Sequence, residues 1–492
     1  MLWPRWLFLR ALGVIYFSAF GSLWFQIRGL IGARGIEPAA DFLAAVAQAL
    51  PGLERFWRVP TLLWLGSSDG VLLVLCGAGM LASVLLLLNV APRWSALVCW
   101  LAFLSAISVL QVFASYQSDS MLLEAGVAAL MLAPAGLRPG LSAASPPLGA
   151  AVFLLRWEWF RIYFLSGVVK LASGDQQWRH LTAMDHYYEN GPLPTWIAWW
   201  VHQLPHGFHA GCAAFILFCE LVMVWLVWLP ARFRALRLAC FLIVTAMQTS
   251  IVLTANYAFL NYLVLALGLF LLDDRVLVAC GFPMPPELTG STPEPRPRAR
   301  WTFAVAAALA AFMAWAGTAR FLRLAGPLAW PSYALAPLRV ADSYGLFAVM
   351  TEARYEIEFQ GTLDGEHWVP YQFRCKPQDP GEPPGIYAPY QPRFEWNLWF
   401  ASLEGWRSNP WVAQAEIALL DREPSVMALF REDPFAGTAP QAVRTVRWQY
   451  WFTDRATRRA TGAWWRRENL GAFAPAVEHG PDGEVRAVDS RP

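Results

Sequence analysis

Lysine is almost absent from this 492-residue chain: only Lys170 and Lys376 occur, and the other 36 of the 38 basic residues are arginines. Charge of either sign is scarce, at 15% of residues with a formal net charge of +2. A soluble domain carries ~25% charged and ~45–50% apolar residues. With 57% apolar residues, this chain is neither a solvated enzyme nor a disordered tail, and it lacks the basic excess of a nucleic-acid binder. It has no C-x-x-C pair for thiol exchange or zinc, and no N-x-S/T glycosylation site. A phosphate-binding loop, a dinucleotide fingerprint, a nucleophile elbow and an H-E-x-x-H motif are also missing. The enzyme classes built on those motifs drop out, no metal site is indicated, and no cofactor is called for.

Long apolar runs and tryptophan, 27 of the latter, are what the chain does have. The runs cover residues 7–27, 71–91, 94–116, 120–134, 148–171, 209–229, 235–255, 256–272 and 302–319. A helix needs ~20 mostly apolar residues to cross the ~30 Å hydrocarbon layer. Backbone groups in lipid must bond within their own segment, so these runs are expected as helices. Their lack of period-2 alternation excludes a membrane barrel. The fold class is therefore a polytopic α-helical membrane bundle of eight or nine spans, followed by a soluble β-rich C-terminal domain. Residues 1–280 are read as the helical transmembrane domain and 281–301 as a Pro-rich linker. The last transmembrane helix falls at 302–324, the β-rich domain at 325–474, and a frayed tail at 475–492. The first apolar run continues into bulky residues with no small-residue cleavage site, so it is read as a retained span.

Orientation follows from arginines in the loops. With nine spans, Arg5, Arg93, Arg138, Arg232, Arg234, Arg237, Arg275, Arg296, Arg298 and Arg300 share one side. Arg28, Arg34, Arg55, Arg58 and Arg179 share the other. The richer side is cytoplasmic, which places the β-rich domain outside. Within that domain, residues 355–360 alternate apolar and polar, Asp364-Gly365 supplies a turn, and residues 368–373 return as a hairpin. A second strand runs through 446–452 with a partner near Trp464, and short helices are expected at 411–420 and 425–431. Cys76, Cys99, Cys212, Cys219, Cys240 and Cys280 lie in or beside spans, leaving Cys375 alone in the outer domain. Together with the alanine and arginine bias, this suggests a bacterial inner membrane with the outer domain periplasmic, or the endoplasmic reticulum membrane in a eukaryote.

The scarce charges within the bundle concentrate at Arg156, Glu158, Arg161, Lys170 and Asp175. A charge at the bilayer centre costs ~2.5–3.5 kcal/mol on insertion scales, so such groups need partners or a purpose. At helical spacing Arg156, Tyr163 and Lys170 form one stripe facing the bundle interior. Glu124 and Glu220 are the candidate counter-charges. The ordinary reading is ion pairing that fixes helix register. The sharper one is a buried reactive site in which Lys170 acts as a base beside Arg156 and Glu124, because a desolvated lysine can release its proton. Lys376 reads as a solvated residue of the outer domain. His180, His186, His202, His206 and His209 cluster near one membrane surface, where imidazoles bonding water or headgroups are the simpler explanation than metal ligation.

Several segments together are similar to the lipase maturation factor family. They are residues 16–39 (YFSAFGSLWFQIRGLIGARGIEPA), 118–126 (SDSMLLEAG), 164–205, 255–274, 342–373 and 388–404 (APYQPRFEWNLWFASLE), in family order. Tyr390 stands where the family pattern has histidine, and Arg374-Cys375 where it has Lys-Tyr. The resemblance implies a multi-span membrane protein with a lumenal C-terminal domain that helps secreted lipases fold, without an established catalytic activity or cofactor. A more distant similarity joins the membrane region to the vitamin K-dependent gamma-carboxylase. There, a Lys-Leu pair followed by an acid and a tryptophan ends a membrane helix, and the lysine is the catalytic base. Lys170-Leu171, Asp175 and Trp178 look similar.

Two functions are therefore expected. The first is an integral membrane maturation factor that assists exported clients, lipase-like by resemblance, with Trp396 and Trp399 as client-binding residues and membrane lipids as partners. The alternative is a membrane-embedded carboxylase-like or quinone-binding enzyme that uses Lys170, and it requires an apolar cavity lined by Lys170, Arg156 and Glu124.

Overall fold

The computed structural model describes residues 1–285 and 300–488, so most of the Pro-rich linker lies outside the described residues. Apolar runs that leave the backbone no polar partner but itself form helices. The principal ones are α1 (Leu2–Ile31), α2 (Asp69–Leu87), α3 (Pro92–Ile107), α4 (Gln117–Leu132) and α5 (Gly149–Ala172). A short amphipathic α6 (Ala183–Asn190) precedes α7 (His206–Leu221), α8 (Arg234–Thr254), α9 (Leu260–Gly268) and α10 (Arg300–Phe321). Among the described residues, five helical stretches are long and apolar enough to cross a membrane: Leu2–Ile31, Asp69–Leu87, His206–Trp228, Ala231–Thr254 and Phe303–Phe321. The 24-residue α5 has the length for a crossing, but Arg156, Glu158, Arg161 and Lys170 interrupt its apolar character. Those charges are sheltered by position, since α5 packs against α4, α7, α9 and α10.

The bundle has two distinct ends. At one, the backbone N–H groups of Leu2 and Trp3 donate to the Asp274 carboxylate at 3.0 and 2.8 Å. Asn89 donates to the Gly140 carbonyl there at 3.1 Å, and Arg5 to that of Ser145 at 2.6 Å. At the other end sits the C-terminal domain, built on a five-stranded antiparallel sheet of order β2-β1-β3-β4-β5. Its strands are β1 (Arg354–Thr362), β2 (Trp368–Pro370), β3 (Ala442–Phe452), β4 (Trp465–His479) and β5 (Val485–Val488). The expected hairpin is present: Thr362 pairs with Trp368, and Gly365 takes the left-handed φ of +79° that the turn requires. Asp364 Oδ1 closes that turn by accepting from the Glu366 and His367 N–H groups at 2.9 and 2.8 Å.

One face of the sheet carries Ile357 and Phe359 opposite Arg447 and Thr445. It packs on α11 (Arg393–Ser402) and α12 (Trp411–Leu420), with Phe359 stacked on Phe394 at 6.1 Å. The opposite face carries Arg354, Glu356, Glu358 and Gln360, all buried. The returning segment 371–380 covers them, and Gln378 Nε2 donates to Glu358 Oε2 at 3.2 Å. Lys376 corrects its expected solvated state. It is buried among these groups and ion-paired with Glu356, which also binds Arg354. Burial holds the Lys376 ammonium pKa below its ordinary range. Within the segment read as a frayed tail, β4 continues to His479, and Ala476 pairs with Val488 of β5.

Candidate functional site

The charged stripe of α5 finds a partner at each of its three positions. Arg156 donates from Nε and Nη2 to the Phe270 carbonyl at 3.0 and 2.9 Å, and Arg237 joins the same oxygen at 3.0 Å. Two arginines thereby converge on one carbonyl in the short helical turn that follows α9. Tyr163 Oη accepts from Gln248 of α8 at 2.8 Å. Lys170 Nζ donates to both oxygens of Glu220 on α7, at 2.7 and 2.9 Å. Of the two candidate counter-charges for Lys170, the partner is therefore Glu220.

Glu124 belongs elsewhere. It pairs with Arg161, and its Oε2 accepts from the Ala341 N–H at 3.0 Å and Tyr344 Oη at 2.8 Å. Arg161 Nη1 in turn donates to the Asp342 carbonyl at 2.7 Å. This pair pins the chain leaving α10 into the bundle. Glu158 is fully buried, and among the described residues neither of its carboxylate oxygens has a hydrogen-bond partner.

A small cavity of about 180 Å³ does adjoin Lys170 and Glu220, walled by Trp178, Tyr187, Phe215 and Phe347. Neither Arg156 nor Glu124 lines it, so the expected three-residue constellation is distributed over three places. Lys170 is held in a two-point ion pair with Glu220, and its ammonium lies 5.0 Å from the Trp178 ring. This geometry does not favour a free base. Asp175, the acid of the carboxylase-like pattern, caps the following turn through the Gln177 N–H at 2.8 Å and accepts from the Met350 N–H at 2.8 Å. The histidines diverge: His206 meets Asp185 at 2.8 Å, while His209 Nε2 faces the Leu204 carbonyl at 2.9 Å.

Trp396 and Trp399 sit on α11 where the C-terminal domain meets the bundle. They are only 6% and 8% exposed, so neither is a free surface anchor. Both line a cleft of about 380 Å³. Trp396 packs against Tyr116 at 5.2 Å and Tyr257 at 6.2 Å, and Tyr257 packs against Phe347 at 5.2 Å. Val349 and Phe400, 65% and 45% exposed, form an apolar part of its wall that faces outward. Among the described residues neither indole N–H has an acceptor, so packing holds the two rings. The cleft offers mostly apolar and aromatic contact, with Ser115, Gln117, Ser118 and Thr351 as polar members of its lining.

The junction beside the cleft was not singled out from the sequence. Arg393 of α11 and Asp119 of α4 form a buried ion pair at 2.7 Å. Arg354 donates to the Pro192 carbonyl at 2.9 Å, and the Asn256 carboxamide oxygen accepts from the Tyr387 and Ala388 N–H groups at 2.7 and 2.9 Å. Glu189 accepts from the Phe452 N–H, and burial pushes its carboxyl up to about 7. Arginine inside otherwise family-like segments was the available signal.

These features define a multi-pass membrane protein with a β-rich domain locked onto one end of its helical bundle and an aromatic cleft at the seam. The family model for the lipase maturation factor transmembrane domain matches residues 3–279, and that for the lipase maturation factor C-terminal domain matches residues 340–475. Human lipase maturation factor 2 is 31% identical over 97% of this chain and 83% of its own length. Bovine lipase maturation factor 1 is 31% identical over 95% and 88%, and the human form is 30% identical over 95% and 87%. No solved structure matches. The chain belongs to the lipase maturation factor family.

Proposed function

We propose that this chain is a membrane maturation factor that assists the folding of exported lipase-like clients, and that the seam cleft with Trp396 and Trp399 receives apolar segments of the incomplete client. The carrying observation is that both family domains are present and joined through this aromatic cleft. Aromatic residues in recessed apolar surfaces are the usual anchors of protein recognition. The action needs no covalent step, and the paired state of Lys170 supports a binding role for the protein rather than base catalysis.

The proposed topology has nine crossings, by α1 to α5 and α7 to α10, with the amino terminus cytoplasmic and the outer domain across the membrane. An odd number of crossings agrees with the amino terminus and the outer domain lying at opposite bundle ends, and arginine excess on the amino-terminal side supports the orientation. In a bacterial inner membrane the cleft then faces the periplasm, where exported chains emerge. Deletion of the gene tests the reading: the activity and abundance of secreted lipases are expected to fall, and unchanged values overturn it.

A further inference from the structure

A cavity of about 650 Å³ opens between the last turns of α1, the start of α2 and the underside of the outer domain. Trp24 and Phe25 of α1 and Leu73 of α2 contribute its membrane-side wall. Phe25 is 72% exposed, while Leu23, Ile27 and Leu30 on the other flank of α1 are fully buried. The Phe25 ring is thus turned away from the bundle, and the Trp24 ring lies beside Gly77 of α2. Arg28 lies one turn beyond Trp24 on the same flank and lines the cavity, as does Arg374 from the outer domain.

Both guanidiniums are exposed, and among the described residues neither is ion-paired. Arg374 makes one long hydrogen bond, from Nη2 to the Ala428 carbonyl at 3.3 Å. The acid in the wall, Glu395, is already occupied: it accepts from the backbone N–H groups of Arg374 at 3.0 Å and Cys375 at 2.8 Å, and from that of Lys376. Those donors offset its charge locally, so the cavity presents two cations without an ion-pair partner among the described residues, above an aromatic floor. Arginine pairs match the geometry of phosphate oxygens, and aromatic rings at that level mark the membrane interface.

We propose that this cavity binds an anionic glycerophospholipid from the leaflet adjoining the outer domain. Its phosphodiester lies between Arg28 and Arg374, and its acyl chains run along Trp24, Phe25 and Leu73. The lipid is thereby a wedge between α1 and the outer domain, independent of which client the protein serves.

Photo-crosslinking of the full chain in phosphatidylcholine vesicles tests this, using trace phosphatidylglycerol or phosphatidylcholine that carries a diazirine in the acyl chain. The expected result is labelling of peptides containing Trp24, Phe25 or Leu73 by phosphatidylglycerol roughly thirtyfold above phosphatidylcholine, at about 1 kcal/mol for each of the two arginines. Arg28→Gln combined with Arg374→Gln is expected to bring the two lipids level, while millimolar inorganic phosphate leaves the labelling unchanged. Equal labelling by both lipids in the unaltered chain overturns the proposal whether or not the variant folds. Undiminished labelling of a folded double variant also overturns it. Loss of labelling in phosphate assigns the site to a free anion and overturns the lipid.

Discussion

Arg393 grips Asp119 through two parallel hydrogen bonds, from Nη2 at 2.7 Å and Nη1 at 2.8 Å, and neither side chain is exposed. The arginine opens α11 of the outer domain and the aspartate lies in the first turn of α4 in the bundle. The pair therefore fixes the position of the aromatic cleft's two walls. Nη1 also reaches the Phe113 carbonyl at 2.8 Å. Removing one member of a buried pair strands the other, which costs ~3–5 kcal/mol, whereas replacing both with apolar residues is often near neutral. Asp119→Ala and Arg393→Met are each expected to lower the melting temperature of the detergent-solubilised chain sharply and to expose residues 325–340 to protease. Asp119→Leu with Arg393→Met is expected to recover most of that loss. Single variants that melt like the parent would show that other contacts alone hold the seam.

The same logic separates the two readings of Lys170. If its role is the Glu220 pair, Lys170→Arg keeps the charge and retains lipase maturation. Lys170→Met and Glu220→Met are then each destabilising by ~3–5 kcal/mol, and the double substitution is milder than either. If Lys170 instead abstracts a proton, arginine cannot replace it. Complementation of a deletion strain, with lipase activity normalised to the amount of factor in the membrane, distinguishes the outcomes. Loss of function in Lys170→Arg at normal abundance would restore the enzymatic reading.

Glu416 offers a pH test within the outer domain. Burial against β3 raises its carboxyl to about 8 from an ordinary 4.5, even though Oε1 accepts from Thr445 Oγ1 at 2.7 Å. The folded state therefore holds a proton that the unfolded state has released between those values. Stability from this group is full below about pH 4.5 and declines as pH rises toward 8. Glu416→Gln keeps the shape without the titration and is expected to stabilise the protein at pH 8, by up to about 4 kcal/mol. Chemical denaturation of the parent and the variant at pH 5 and pH 8 checks it. An unchanged pH dependence would locate the titration elsewhere.

Much of the fold could be read from residue order, because apolar length and period-2 alternation report local structure. The turn at Asp364-Gly365, the strand through Val446 and the helix at Trp411–Leu420 all follow from such patterns. What alternation cannot reveal is what covers the polar side of a strand. Glu356 and Glu358 are the polar members of the alternation over 355–360, yet segment 371–380 folds over them and buries Lys376 there. Partners remote in sequence were likewise hidden. Glu124 and Glu220 were equivalent candidates for Lys170 until the packing of α7 against α5 separated them. The seam was least legible, since Arg393 and Asp119 are 274 residues apart and gain meaning only once both elements are placed.

The cleft itself needs a variant that changes recognition without changing packing. Trp396 cannot serve, because it is wedged between Tyr116 and Tyr257 and truncating a buried tryptophan costs ~3–5 kcal/mol. Phe400 can. It follows Trp399 on α11, packs edge-on against that ring at 5.0 Å, and is nearly half exposed in the wall of the cleft. Surface substitutions of this kind usually alter stability by no more than ~0.5 kcal/mol. A glutamate there would have to be desolvated whenever an apolar client segment enters, with no partner to compensate it. Phe400→Glu is therefore expected to melt like the parent and accumulate normally in the membrane, yet to lower secreted lipase activity several-fold. Phe400→Leu, which keeps the apolar surface, is expected to retain most of the activity. If Phe400→Glu matures lipases as well as the parent, clients do not bind in this cleft.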